Sequence, residues 1–126
     1  MVDVQLQTSA APVYALGDCA QYASAGQRTL PYVMPIMNAA RSLAATLSGQ
    51  PTPLVFPLMP VSIKTPALPI VVSAPHPATD GGWVADAGDA GLGVWRFMDP
   101  AGVQRGFVLT GKQTSRRMEL SKSTVL

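Results

Sequence analysis

The segment Tyr14-Ala15-Leu16-Gly17-Asp18-Cys19-Ala20 holds the residue types best suited to ligand chemistry in this sequence. An apolar run ending in Gly-Asp sets a side-chain-free backbone and a carboxylate at the carboxyl edge of a strand, where open α/β sheets take their ligands. Gly17 lets a ligand approach the backbone, and an ionised Asp18 only accepts hydrogen bonds, so its natural partner is a hydroxyl or an N–H. A sugar or ribitol hydroxyl fits. The plainer reading of the same two residues is a turn in which Asp18 caps the next segment.

Other chemistry has weaker support. A single cysteine, Cys19, allows no intrachain disulfide, and with a single histidine, His76, there is no ligand set for structural zinc. The two lie 57 positions apart, a weak sign of a Cys-His nucleophile pair. His76, between Pro75 and Pro77, reads as an exposed loop residue. Asp80-Gly81-Gly82 and Asp86-Ala87-Gly88-Asp89-Ala90-Gly91 offer oxygen ligands on glycine-rich loops, but their spacing fits no EF-hand or repeated array, so they read as hairpin turns. No Gly-x-Gly-x-x-Gly loop is present. The nearest string, Gly91-Leu92-Gly93-Val94-Trp95-Arg96, lacks the third glycine and runs into a strand-like segment, so it cannot seat a pyrophosphate on a helix.

The elements that must position these residues are marked out by eleven glycines and twelve prolines. Val2 to Leu6 alternates like a strand, and Val13 to Leu16 reads as a buried strand. From Pro31 to Leu47, Val33, Ile36, Met37, Ala40, Leu43, Ala44 and Leu47 recur at helical spacing, and Gly49 with Pro51 stops the helix near Ser48. The proline-dense stretch that follows places a domain boundary at 49/50. Beyond it come strands at Val61–Lys64, Ile70–Ser73, Trp83–Ala87, Leu92–Met98 and Val103–Thr110. Asp99-Pro100-Ala101-Gly102 joins the last two as a turn, and Trp83 and Trp95 are core or sheet-face residues. A short final helix within Gln113–Lys122 has Thr114 or Ser115 as N-cap and Met118 with Leu120 as anchors.

Read together, Thr8-Ser9 followed by Val13-Tyr14-Ala15-Leu16-Gly17-Asp18-Cys19-Ala20 resembles the second flavin-binding motif of the pyridine-nucleotide-dependent flavoprotein oxidoreductases. The resemblance implies that Asp18 holds a ribitol hydroxyl of FAD, with Gly17 giving the close approach. Leu30-Pro31-Tyr32-Val33-Met34-Pro35 resembles the opening of the family's helix whose N-terminus points at the flavin. A helix N-terminus carries unpaired N–H groups and partial positive charge, which suits the electron-rich N1 and C2 carbonyl region of reduced flavin. The backbone N–H of Val33 is the expected donor, with Met34 next. Pro60-Val61-Ser62-Ile63-Lys64-Thr65-Pro66 is similar to the Lys-Thr-Pro segment of rubredoxin reductases, which implies that Lys64 lies against the isoalloxazine ring. Cys19 does not match the cysteine pair of the disulfide reductases, which points to a subfamily without a dithiol.

The resemblance covers the C-terminal third of such an enzyme. The implied fold is an α/β fragment: residues 1–49 supply the terminal strand and helix of a FAD-binding Rossmann-like domain, and residues 50–126 an α+β C-terminal domain with a mostly antiparallel sheet. The implied function is NAD(P)H-dependent reduction of rubredoxin through FAD in the full-length enzyme, with this piece inactive by itself because the phosphate loops of the FAD and NAD domains are missing. Rubredoxins are small and acidic. Arg105, Lys112, Arg116, Arg117 and Lys122, with Glu119 the only acid after Asp99, are therefore expected either to steer that partner or simply to form a solvated helix face. A stand-alone redox-partner-binding or dimerisation module without cofactor is the alternative.

Composition agrees with a piece of something larger. Of 126 residues, 48% are apolar and 13% charged, against about 25% charged in an average soluble domain. A formal charge of +2 argues against a polyanion-binding nucleic-acid partner. No apolar run reaches the roughly 18 residues of a membrane span, and Met1-Val2-Asp3-Val4-Gln5 has no export signature, so a cytoplasmic protein is expected. The apolar faces around Val13–Leu16 and along Val33–Leu47 are expected to meet missing domains, or a second copy in a homodimer.

Overall fold

The computed structural model describes residues 1–87 and 92–126. The stretch Gly88-Asp89-Ala90-Gly91, most of the second calcium-like loop and the first glycine of the incomplete glycine string, lies outside the described residues. The chain forms two compact units, Met1–Met59 and Pro60–Leu126. The division falls ten residues beyond the expected 49/50 boundary, and Leu54 shows why. Its side chain is buried in the core of the first unit and its N–H donates to the Val4 carbonyl at 2.6 Å, so the proline-rich connector packs with what precedes it.

In the first unit the expected strands are replaced by single bridges: Val2 beside Tyr22, Gln7 opposite Tyr14, and Tyr22 opposite Arg28. A strand persists only where a neighbour fills its hydrogen-bond ladder, and Val13–Leu16 has just the short 6–8 segment alongside, through Thr8 N–H to Val13 O and Ala15 N–H to Leu6 O. The Gly17-Asp18 pair therefore ends a turn-rich loop rather than a strand. The core consists of Val2, Leu6, Ala20, Tyr22, Ala39 and Leu54, with Tyr14, Leu16, Leu30, Leu43 and Phe56 packed against it.

Helix α1 spans Val33–Leu47, and Gly49, at φ 85°, takes the left-handed position just after it. Pro35 sits in its first turn, where the missing N–H costs no intrahelical bond. The helix buries Pro35 and Ala39 rather than the whole expected stripe. Val33, Met37 and Leu47 remain 75%, 50% and 64% exposed, and Ala40 and Ala44 beside them are exposed too. Apolar residues occur on more than one side of this helix, and the first unit covers only one.

The second unit is a five-stranded antiparallel sheet: β1 Val61–Ile63, β2 Ile70–Ser73, β3 Gly82–Ala85, β4 Val94–Met98 and β5 Gln104–Thr110, in the order β1-β2-β5-β4-β3. β-branched and aromatic residues favour its strands, and turn chemistry joins β4 to β5. At the β4–β5 turn, Gly102 N–H donates to Asp99 O at 2.9 Å, and Asp99 Oδ1 accepts from the N–H groups of Ala101 and Val103. Gly102 takes the left-handed conformation there, at φ 76°. Val71 and Val94 both lie opposite Leu109, so with Phe107 they form one buried face. Trp83 meets Phe97 edge-on at 5.4 Å on the other face, with Trp83 still 46% exposed at the sheet edge.

The chain ends in a 3-10 turn, Gly111–Arg116, and helix α2, Arg117–Ser123. Thr114 and Ser115 do not cap it. Their hydroxyls donate to the carbonyls of Gly111 and Lys112, which converts the expected N-cap into the tighter turn. Leu120 is fully buried and Met118 is 64% exposed, so one of the two expected anchors serves.

A polar network ties this helix to the sheet. Arg96 donates to both Asp86 oxygens, at 2.8 and 3.1 Å, and to Gln104 Oε1 at 2.8 Å. The buried Gln104 amide in turn donates to Leu120 O and Thr124 Oγ1. The Arg96 hydrogen bond holds the Asp86 carboxyl below its ordinary value near 3.8. A depressed folded-state value means that this contribution is complete above that pH and is lost as pH falls through the folded value. Arg96→Met is expected to lower the thermal midpoint at neutral pH and to lose less further stability below about pH 4 than the unsubstituted chain. Thermal melts between neutral and acid pH check this; parallel pH profiles would contradict it.

Candidate flavin-facing loop and basic surface

Gly17 stands at φ 86°, a backbone region that favours glycine, and a Cβ built there would meet nothing within 4 Å. Ala20 N–H closes a turn onto Gly17 O at 3.0 Å, and the Cys19 thiol donates to Leu16 O at 3.5 Å. Asp18 projects from this turn. It is exposed, and its carboxylate accepts no hydrogen bond from the described residues, so it is not spent on capping.

One residue of this loop escapes sequence reasoning. The hydroxyl of Tyr22, whose ring is fully buried, accepts from Gly17 N–H at 2.7 Å and lies 3.4 Å from Gly17 O, to which it donates. No local pattern marks the contact, because it depends on the chain turning back through Asp18 to Ala20.

At the start of α1, Tyr32 supplies no side-chain cap and no acidic residue stands in the first turn. The first N–H groups, that of Val33 among them, therefore lack an intrahelical partner and keep their positive end unneutralised. Tyr32, Val33 and Met34 surround them with exposed apolar surface. Lys64 directly follows β1 in the second unit and is exposed, with no ion pair among the described residues. Gly17, Asp18 and Val33 thus share one unit and Lys64 belongs to the other. No group of three or more metal-ligating side chains occurs among the described residues, and no helix among them is long and apolar enough to cross a membrane.

The five late cations separate into two kinds. Arg105 pairs with Asp99 at 2.8 Å and Arg116 with Glu119 at 2.8 Å. The Arg116 hydrogen bond holds the Glu119 carboxyl below its usual range, while the N–H of Val103, then Arg105, does the same for Asp99. Lys112, Arg117 and Lys122 are exposed and have no ion pair among the described residues. The i,i+3 spacing of Arg116 and Glu119 places the two side chains on one face, which suits their pairing.

Comparison with known proteins gives this arrangement a family. The profile described as rubredoxin binding C-terminal domain matches residues 53–124. The chain is 42% identical over 123 residues to a rubredoxin-NAD(+) reductase of Alcanivorax borkumensis, covering 97% of this chain and 31% of that protein. It is 41% identical over 118 residues to a rubredoxin-NAD(+) reductase of Acinetobacter baylyi, covering 93% and 29%. A nitric oxide reductase FlRd-NAD(+) reductase of Aeromonas salmonicida is 40% identical over 120 residues, covering 95% and 30%. The chain thus spans about three-tenths of the length of these curated relatives. The crystal structure of Fdr9 shares the fold at a TM-score of 0.68 and 24% identity, over 95% of this chain and 32% of that one. By the profile match and these relatives, the chain belongs to the rubredoxin binding C-terminal domain family and corresponds to the C-terminal part of a rubredoxin reductase.

Proposed function

We propose that this chain completes the flavin site and carries the partner-docking surface of a full-length NAD(P)H-dependent, cytoplasmic flavoprotein that reduces rubredoxin. The observation that carries the flavin half is the Gly17-Asp18 turn, with an open approach at Gly17 and a carboxylate that has no partner within the described residues. These residues fit the ribitol portion of FAD; nothing here fits its pyrophosphate, since the sequence has no glycine loop opening a helix. FAD, when bound, accepts a hydride and releases electrons singly. Asp18 would accept a hydrogen bond from a ribitol hydroxyl and so orient the group. The Val33 N–H, at an uncapped and acid-free helix start, would offer positive potential to the electron-rich ring edge, and Lys64 a second positive charge. Residues 1–49 would then be the end of a FAD-binding Rossmann-like domain. The exposed apolar side of α1 at Val33, Met37 and Leu47 supports that reading, because such a surface suits coverage by the rest of that domain.

Lys112, Arg117 and Lys122 would steer the acidic rubredoxin, and the carboxylate-paired Arg105 and Arg116 would contribute less. In the full-length reductase, Lys112→Glu with Arg117→Glu is expected to slow rubredoxin-dependent turnover about tenfold at low salt, with the difference shrinking as ionic strength rises. Arg105→Ala is expected to change it less. Turnover indifferent to the double reversal at low salt would remove the docking assignment.

A stand-alone partner-binding module without cofactor is the second reading, favoured by the separate unit Pro60–Leu126 and the profile match over 53–124. Titrating the full-length apoprotein with FAD and, separately, with oxidised rubredoxin distinguishes the two. A flavin fluorescence change supports the first reading. Rubredoxin binding without any flavin response supports the second.

A further inference from the structure

The Asp18 carboxylate has no partner of its own, so only the backbone beneath it sets its direction. That backbone is held by one side chain. Gly17 is buried, and Tyr22 brackets both of its polar groups, its hydroxyl accepting from the N–H at 2.7 Å and donating to the carbonyl at 3.4 Å. The same carbonyl accepts the Ala20 N–H that closes the turn carrying Asp18.

Tyr22 is itself firmly placed. Its ring is fully buried and meets Phe56 edge-on, with centroids 5.1 Å apart and an interplanar angle of 82°. Its N–H donates to Arg28 O at 3.0 Å, and its carbonyl accepts from Ala25 and Gln27. A hydroxyl at the tip of a ring fixed in this way is a rigid reference point for the loop. A core ring alone would need no hydroxyl aimed at a glycine, and a buried tyrosine oxygen is costly unless it is bonded.

We infer that Tyr22 is a positioning residue for the flavin site: its hydroxyl locks the Gly17 backbone so that Asp18 is presented in one orientation to a ribitol hydroxyl. The inference rests on the flavin reading of Asp18. Removing the hydroxyl leaves the buried Gly17 N–H without its partner and the carbonyl with only the Ala20 N–H, so the turn spreads over several conformations and only a fraction presents Asp18 correctly. Apparent affinity falls by that fraction.

The test is a double-mutant cycle in the full-length reductase, with apoprotein titrated by FAD and followed by flavin fluorescence, and with the thermal midpoint of each apoprotein recorded. Tyr22→Phe keeps the ring and is expected to raise the FAD Kd about three- to tenfold, the range of one hydrogen bond's net worth. Asp18→Ala is expected to raise it further. When Asp18→Ala is already present, Tyr22→Phe should add less than about twofold, because no carboxylate is left to misdirect. An unchanged Kd for Tyr22→Phe, or an equal factor with and without the carboxylate, would overturn the inference and leave Tyr22 a core residue. An unchanged Kd for Asp18→Ala refutes the flavin reading itself, and the inference with it. Should Tyr22→Phe fail to fold, hydrogen exchange on the unsubstituted holoprotein decides: a Gly17 amide as slow as its core neighbours supports the lock, and one that exchanges as fast as an exposed loop refutes it.

Discussion

Asp18→Ala in the full-length reductase is expected to weaken FAD binding about ten- to a hundredfold, the effect of losing a hydrogen bond to a charged group worth about 1.5–3 kcal/mol. The fold should survive the change. Asp18 is exposed and bonds to nothing among the described residues, so the thermal midpoint of the apoprotein should stay within error of the unsubstituted protein. That combination, affinity lost and stability kept, is what separates a ligand-holding carboxylate from a capping one. Asp18→Asn should recover part of the loss, since an amide oxygen still accepts, though without the charge. Direct titration of apoprotein with FAD measures all three. A fall in stability with unchanged FAD affinity would instead support the turn-capping reading.

Phe107→Ala should have the largest effect on stability. Phe107 is fully buried on β5, the strand bonded to both β2 and β4, and it stands opposite Ser73 and Arg96 on the face that also buries Val71, Val94 and Leu109. Truncating a buried phenylalanine costs about 3–5 kcal/mol. A unit of this size has little stability to spare, so most of it should be lost at ambient temperature. Trp83→Ala, by contrast, removes a larger ring from an edge strand where it is 46% exposed, and should cost far less. Near-ultraviolet circular dichroism and thermal melts of the two variants rank them. The reverse order would mean that the sheet buries its opposite face.

Much of the second unit was legible because its elements carry local information. The β-branched run Ile70-Val71-Val72, the apolar Phe107-Val108-Leu109 within Val103–Thr110 and the Asp99–Gly102 turn are local signals, and each of these strands finds a partner on both sides. Helix α1 was legible for the same reason, through its period and the Gly49 stop. The side of α1 that is buried was not, since Val33, Met37 and Leu47 satisfy the periodicity as well as Ile36 and Leu43 do, and periodicity does not say which surface finds a neighbour. Val13–Leu16 failed as a strand because strands are made by partners, and a sequence pattern records only one side of a ladder.

At the candidate site the division is similar. Gly17 and Asp18 could be picked out by residue type and neighbours, and Gly17 does adopt the left-handed backbone that its identity permits. The hydroxyl of Tyr22 on that backbone could not, because five residues of irregular chain decide where the ring ends up. Among the cations, type alone grouped Arg105 and Arg116 with Lys112 and Arg117, whereas geometry pairs the first two with Asp99 and Glu119. The proposed docking surface is therefore narrower than the count of basic residues implies.

Rapid mixing of the FAD-loaded full-length protein with NAD(P)H and excess oxidised rubredoxin tests the central claim most directly. The expected record is loss of the oxidised flavin absorbance followed by loss of the rubredoxin colour, with the second phase slowed by salt. Rubredoxin that keeps its colour beside fully reduced flavin, at any ionic strength, would contradict the account.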